Sequence, residues 1–162
     1  MKIQAISDQH GYLPELEKCD LLLIAGDILP LAYQASPINT EIWLNSKFIK
    51  WINDLQCQQI IAVLGNHDIA ISSNMLDNIL KQTKNKIEFL FNNYTNIVIN
   101  GETLLIWGSP WCKIFGTWAY MATDDKLAEY YSSLPKGCDI CLTHDAPAIG
   151  DIGVITQGSQ KG

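Results

Sequence analysis

Four short polar clusters carry the residue types that bind metals and move protons: Asp8-Gln9-His10, Gly26-Asp27, Gly65-Asn66-His67-Asp68 and Thr143-His144-Asp145. Each follows closely on an apolar run. The chain has three histidines, His10, His67 and His144, and all of them fall in these clusters, each within two residues of an Asp or Asn. One histidine alone is most often a satisfied structural residue; three at such places are a much rarer coincidence. Asp8 and His10 are two residues apart, so in an extended tip both side chains would point to the same side. Carboxylate and imidazole together suit a first-row divalent metal. Asp27 offers two oxygens, enough to bridge two ions, Asn66 a neutral amide oxygen, and His144 a second imidazole. Such a set is material for a pair of ions roughly 3.5–4 Å apart, an arrangement that clamps a phosphoryl group and makes hydroxide at neutral pH. Glycines at 26 and 65 would let the backbone turn sharply and approach a ligand closely.

The elements that must position these clusters are visible as apolar runs. Ile3 to Ile6 ends in S-D-Q-H, Leu21 to Ala25 in G-D, and Ile60 to Leu64 in G-N-H-D. Runs this apolar suit strands covered on both faces, as in α/β layers, and ligands of open α/β sheets bind at the C-terminal strand ends. Leu44, Phe48, Ile52 and Leu55 recur at helical spacing and predict a helix from about Thr40 to Leu55, capped by Asn39 or Thr40. A shorter helix, capped by Ser73 or Asn74, is expected to end near Gln82. Thr95 to Trp107 reads as two β runs around Asn100-Gly101, the preferred type I′ hairpin turn. The aromatic stretch G-S-P-W-C-K-I-F-G-T-W reads as a loop. A helix from Asp124 to Ser132 with Thr123 as cap follows, its Asp124-Asp125 pair suiting a first helical turn. A last strand covers Asp139 to Leu142. Residues 148–162 show no periodicity and read as loop.

Composition narrows the function classes. Of 162 residues, 48% are apolar, enough for the core of one ordinary domain. A net charge of −6 argues against a purely electrostatic grip on nucleic acid, which needs a basic face. It leaves open a phosphate substrate whose charge is met by bound cations. The run Ile3 to Ile6 is too short for a signal peptide or a membrane span, so no membrane partner is expected. Five cysteines, an odd count without a leader, read as reduced thiols and a cytoplasmic location. Cys138 and Cys141 form a lone C-x-x-C inside an apolar run and read as strand thiols rather than a zinc or redox site.

D-x-H, G-D, G-N-H-D and a later T-H, in this order and each on a strand end, resemble the calcineurin-like metallophosphoesterases, from Met1 to about Asp151. Gly108 to Trp111 (G-S-P-W) and the later L-P-K-G-C-D-I-C-L-T-H-D-A-P are similar to the small subgroup that includes class III cyclic nucleotide phosphodiesterases and mammalian brain metallophosphoesterase-domain proteins. The resemblance implies a single α/β domain over residues 1–162, a layered β-sandwich flanked by helices. It implies a hydrolase that cleaves a phosphomonoester or phosphodiester with metal-bound hydroxide. Asp8 and His10 would hold the first metal, Asp27 would bridge, and Asn66 and His144 would hold the second. His67 would be catalytic rather than a ligand, giving a proton near the leaving group, with Asp68 orienting it. The cofactors implied are two divalent ions, and Mn, Fe, Zn and Ni all tolerate the mixed ligand set. The partner implied is a small phosphate ester or nucleotide, with a nucleic acid end also open.

The sequence departs from the family in one respect. The family's motif series ends in G-H-x-H, one histidine for each metal, and no histidine follows His144 here. By that pattern the domain is expected to lack its C-terminal part through truncation. Metal binding should then be weaker by orders of magnitude, since even outer-sphere changes cost about 10–100-fold. An open sheet edge would favour homo-oligomers. Asp145 and Asp151 are candidate substitutes, although neither stands at the family's position. The alternative function is a non-catalytic binding or assembly module that keeps the fold. Trp107, Trp111 and Trp118 read as a satellite core under a long loop, with a stacking platform for a base or aromatic leaving group as the second reading.

Overall fold

In the computed structural model, residues 1–146 are described. Four parallel strands, β1 (Ile3–Ile6), β2 (Cys19–Ala25), β3 (Cys57–Val63) and β4 (Ile87–Phe89), lie side by side in that order. A second sheet has the order β5 (Asn93–Ile99), β6 (Glu102–Ser109) and β9 (Ile140–Thr143). In it β5 and β6 are antiparallel and β9 runs parallel to β6. The three early apolar runs are therefore neighbours in one sheet, and the hairpin and last strand form the other, as the sequence predicts.

Alternation along β2 explains the layering. Leu21 and Leu23 point between the sheets and pack with Ile61, Val63, Leu90, Ile106 and Leu142. Leu22 and Ile24 point the other way, into a core shared with Phe48, Ile52, Ile60 and Ile79. A strand with both faces buried reads as a continuous apolar run, since every second side chain has its own core. Each such Leu or Ile contributes roughly 1.5–3 kcal/mol by leaving water.

The helical layer starts earlier than its periodicity indicates. Helix α1 (Pro37–Trp43) is capped by Ser36, whose Oγ accepts from the Asn39 N–H at 3.4 Å. Pro37 occupies the first helical positions, where its missing N–H costs nothing. Ser-Pro is the stronger start signal here than Asn39 or Thr40. A π-helical turn, Leu44–Phe48, joins α1 to α2 (Ile49–Asp54); in it the Ile49 N–H reaches back to the Leu44 carbonyl. The wider turn keeps Leu44, Phe48, Ile49 and Ile52 all buried against the sheet. Helix α3 (Ser73–Gln82) is capped by Ser72, one residue before the expected cap.

Two further elements differ from expectation. The run I-E-F after α3 forms β4, which extends the parallel sheet beside β3. The aromatic stretch expected as loop contains β7 (Cys112–Lys113), paired in parallel with β8 (Met121–Ala122). Helix α4 (Asp124–Tyr131) follows, with Thr123 at the cap position but no side-chain capping bond. Asn100 and Gly101 turn the β5–β6 hairpin with φ of 54° and 83°, the conformation a type I′ turn requires. All five cysteines are free; Cys138 is half-buried, whereas Cys141 is exposed. No helix among the described residues is long and apolar enough to cross a membrane.

Candidate metal centre

The tips of β1, β2 and β3 carry Asp8 and His10, Asp27, and Asn66 through Asp68, and His144 follows β9 directly. The β1 and β2 tips are laced together by backbone bonds: Asp8 N–H to Gly26 O (3.1 Å), His10 N–H to Asp27 O (2.9 Å) and Gly11 N–H to Ile28 O (2.9 Å). The expected extended tip is not what brings Asp8 and His10 together. Asp8, His10 and Asp27 all have left-handed backbones, with φ of 52°, 43° and 56°. Such backbones cost of order 1–3 kcal/mol each in non-glycine residues and persist where the surroundings over-determine them. Here the lacing bonds do so.

Asp27 is the centre of the cluster, and its carboxylate is 4% exposed. Its Oδ2 lies 3.8 Å from His10 Nε2, and its Oδ1 lies 3.4 Å from His144 Nε2. Asp8, His10 and Asp27 each offer a ligand atom within 4.8 Å of the others. On the opposite side His144 Nε2 is 2.9 Å from Asn66 Oδ1. His144 Nδ1 lies 2.8 Å from the Ala25 carbonyl, which only accepts, so Nδ1 carries the proton. In the neutral ring Nε2 then presents a lone pair to two oxygens. Three lone pairs converging without a proton between them suit a cation. Asn66 Nδ2 and His10 Nδ1 are buried with no hydrogen-bond partner. The donor set of Asp8, His10 and Asp27 therefore fits a divalent metal.

Two glycines make this approach feasible. A Cβ on Gly65 would sit 2.2 Å from Asp27 Oδ1 and 2.8 Å from His144 Cε1. One on Gly26 would sit 2.6 Å from His144 Nδ1, and φ there is 92°.

His67 lies beside the cluster. Its Nε2 is 4.0 Å from Asp27 Oδ2, and its backbone N–H donates to Asp27 Oδ1 at 2.8 Å. Its Nδ1 is held by Gln34 Oε1 at 2.7 Å, which leaves Nε2 facing the cluster. The expected orienting role of Asp68 is not what the geometry provides. The Asp68 carboxylate accepts from the backbone N–H groups of Ile28 (2.9 Å), Leu29 (2.9 Å) and Gly65 (2.8 Å). Asp68 thus ties the β2 and β3 tips together, because in a fully buried turn those donors need an acceptor. Burial pushes its carboxyl up to about 6, with a smaller push from Asp27, while the three N–H groups pull the other way.

Sequence reasoning missed Gln34, which sits in a short helical turn with no distinguishing pattern. It also preferred a core role for the tryptophans, and the structure divides them. Trp107 is fully buried, whereas Trp118 is 43% exposed and lies against the His67 ring. The candidate substitute Asp145 uses its carboxylate on the Lys113 backbone N–H at 3.0 Å. Asp151 lies outside the described residues, as does the tail expected as loop.

Known proteins place this geometry in context. The human protein "Metallophosphoesterase domain-containing protein 1" is 25% identical over 166 residues, covering 88% of this chain and 47% of its own. The mouse protein of the same name matches equally. A "Probable rhamnogalacturonate lyase C" of Emericella nidulans is 25% identical over 154 residues, covering 91% of this chain but 14% of its own. The chain thus spans about half the length of its human and mouse relatives. The pattern described as calcineurin-like phosphoesterase matches residues 1–157, nearly the whole sequence, and the chain belongs to that family.

Proposed function

We propose that this protein hydrolyses a phosphomonoester or phosphodiester with divalent ions held by Asp8, His10, Asp27, Asn66 and His144. The observation that carries the reading is the Asp27 carboxylate, which turns one oxygen toward His10 and the other toward His144. Ions bound there would polarise a phosphoryl oxygen and let water ionise near neutral pH.

The chain's own residues do the rest. Asp8, His10 and Asp27 gather at one side of the carboxylate, Asn66 and His144 at the other. Asp8 and Asp27 bring two negative charges, and Asn66 and the neutral imidazoles bring none, so two divalent ions would leave the site positive. That focuses a phosphate on the site although the chain as a whole carries −6. His67, steered by Gln34, presents Nε2 to the face where a leaving oxygen departs, and its protonated form donates there. Asp68 and the two glycines hold the strand tips at the spacing these contacts need.

The test is direct. The protein is stripped with chelator, reloaded separately with Mn, Fe, Zn or Ni, and assayed for bound metal and for hydrolysis of bis-p-nitrophenyl phosphate. Metal-dependent turnover with about two ions per chain is expected. Absence of both bound metal and turnover would sink the proposal and leave a binding module with the inherited fold.

A further inference from the structure

The aromatic segment that follows β6 sends its indoles to different places. Trp107 is a core residue: it is fully buried, and its Nε1–H donates to Ser133 Oγ at 3.1 Å. Trp118 has neither property. It is 43% exposed, and among the described residues its Nε1–H has no hydrogen-bond acceptor. Yet its ring centroid is 4.5 Å from that of His67, at an interplanar angle of 46°. Its place is not a matter of chance packing, because the next residue, Ala119, donates its N–H to the Asn66 carbonyl at 3.2 Å. The segment is thereby pinned to the turn that carries both Asn66 and His67. His10 also lies against the His67 ring, edge to face with centroids 5.2 Å apart.

We infer that Trp118 is a specificity-determining residue, which stacks a planar ring carried by the leaving group of the phosphate ester. This rests on the reading of the site as a phosphoesterase centre. The leaving oxygen departs past His67 Nε2, and the surface beside that imidazole is an exposed indole. A flat ring on the departing alcohol, whether a simple aryl group or a nucleobase, meets a π-face there. An alkyl group meets the same surface with less to gain. Every aromatic ring offers such a face, so the preference is for planarity rather than for one base.

Binding of non-hydrolysable and product-like ligands tests this apart from catalysis. Wild type, Trp118→Ala and Trp118→Phe, each loaded with Mn, are titrated calorimetrically with methylphosphonate, phenylphosphonate and the phosphonate analogue of adenosine monophosphate, in which carbon replaces the ester oxygen. Wild type should bind the ring-bearing ligands more tightly than methylphosphonate. Trp118→Ala should weaken at least one ring-bearing ligand by roughly tenfold or more while leaving methylphosphonate unchanged. Trp118→Phe should recover most of that loss. A loss for phenylphosphonate and the adenosine phosphonate alike assigns a general ring shelf, and a loss for one of them names which ring it takes. Equal weakening of all three ligands, or no weakening, overturns the assignment to Trp118 while the phosphate site stands. If wild type binds none of the three, the phosphoesterase reading fails and this inference fails with it.

Discussion

At Asp27 one carboxylate serves two imidazoles and one backbone N–H, so its removal should be felt as lost metal rather than as slowed chemistry. Asp27→Ala should empty at least one metal site and abolish turnover, read by metal analysis on the purified variant. His67→Ala should keep its metal nearly intact and lose roughly 10²–10⁴-fold in rate on alkyl phosphodiesters. The loss should shrink on nitrophenyl esters, whose leaving groups need little protonation. If His67→Ala loses metal as badly as Asp27→Ala, His67 is a ligand. Asp68→Ala makes a third, different pattern. It strands three buried N–H groups, each worth about 1–3 kcal/mol. The variant should therefore unfold at distinctly lower urea, and its rate should fall alike for both ester types. A leaving-group-dependent loss would instead mean that the carboxylate works through the imidazole. At this scale the polar ends of the apolar runs, which hold all three histidines, marked the side chains that the fold gathers around Asp27. Gln34 and the true partners of Asp68 were hidden, since an amide or carboxylate reads the same whether it holds a ring or a backbone turn.

Among the elements, strands and tips were the easiest to read. Where a strand is buried on both faces it offers only apolar residues, and Leu21–Ile24 of β2 and Ile60–Val63 of β3 show this. β4 escaped because its paired part is three residues long, too short for any period to show. The helical start at Ser36-Pro37 escaped because periodicity begins only where the helix meets the core, one turn later. What no period reveals is the distance between tips, and that is set by Gly65. A methyl group there would lie 2.2 Å from the Asp27 carboxylate and 2.5 Å from its backbone nitrogen. Neither can move far, since Asp27 sits on a left-handed backbone tied to His10. Gly65→Ala should thus cost metal affinity at least about tenfold, comparable to losing an outer-sphere partner. Metal titration of the variant checks it, and wild-type affinity would show that the β2 and β3 tips have room to part.

For the whole molecule, stability and metal binding are one equilibrium. The ion-free site keeps Asp8 and Asp27 within 4.8 Å of each other, and in a chain of net charge −6 no excess of cations offsets them. Ions that bind the folded chain and not the unfolded one stabilise it by about 2.7 kcal/mol at a hundred times Kd. For a chain of this size 1 kcal/mol corresponds to about 2–4 °C in Tm, so saturating Mn should raise Tm by about 5–11 °C and chelator should reverse the shift. Asp8→Asn separates the two contributions. Asn keeps the shape and tolerates the left-handed backbone at position 8 as well as Asp does. It removes one of the two like charges, so the ion-free variant should melt slightly above ion-free wild type, by an amount of the order of a surface charge effect, about 0.2–1 kcal/mol. The same change takes away a metal ligand, so the Mn-induced rise should be much smaller than in wild type. The two melting curves should therefore cross in rank: variant above wild type without ions, wild type above variant with them. Thermal melts of both proteins, in chelator and in excess Mn, decide it. If Asp8→Asn retains the full Mn-induced rise, Asp8 is not a ligand and the ion is held elsewhere. If it melts below wild type in chelator, the Asp8 carboxylate itself stabilises the ion-free β1 tip, and repulsion from Asp27 is not the dominant effect there.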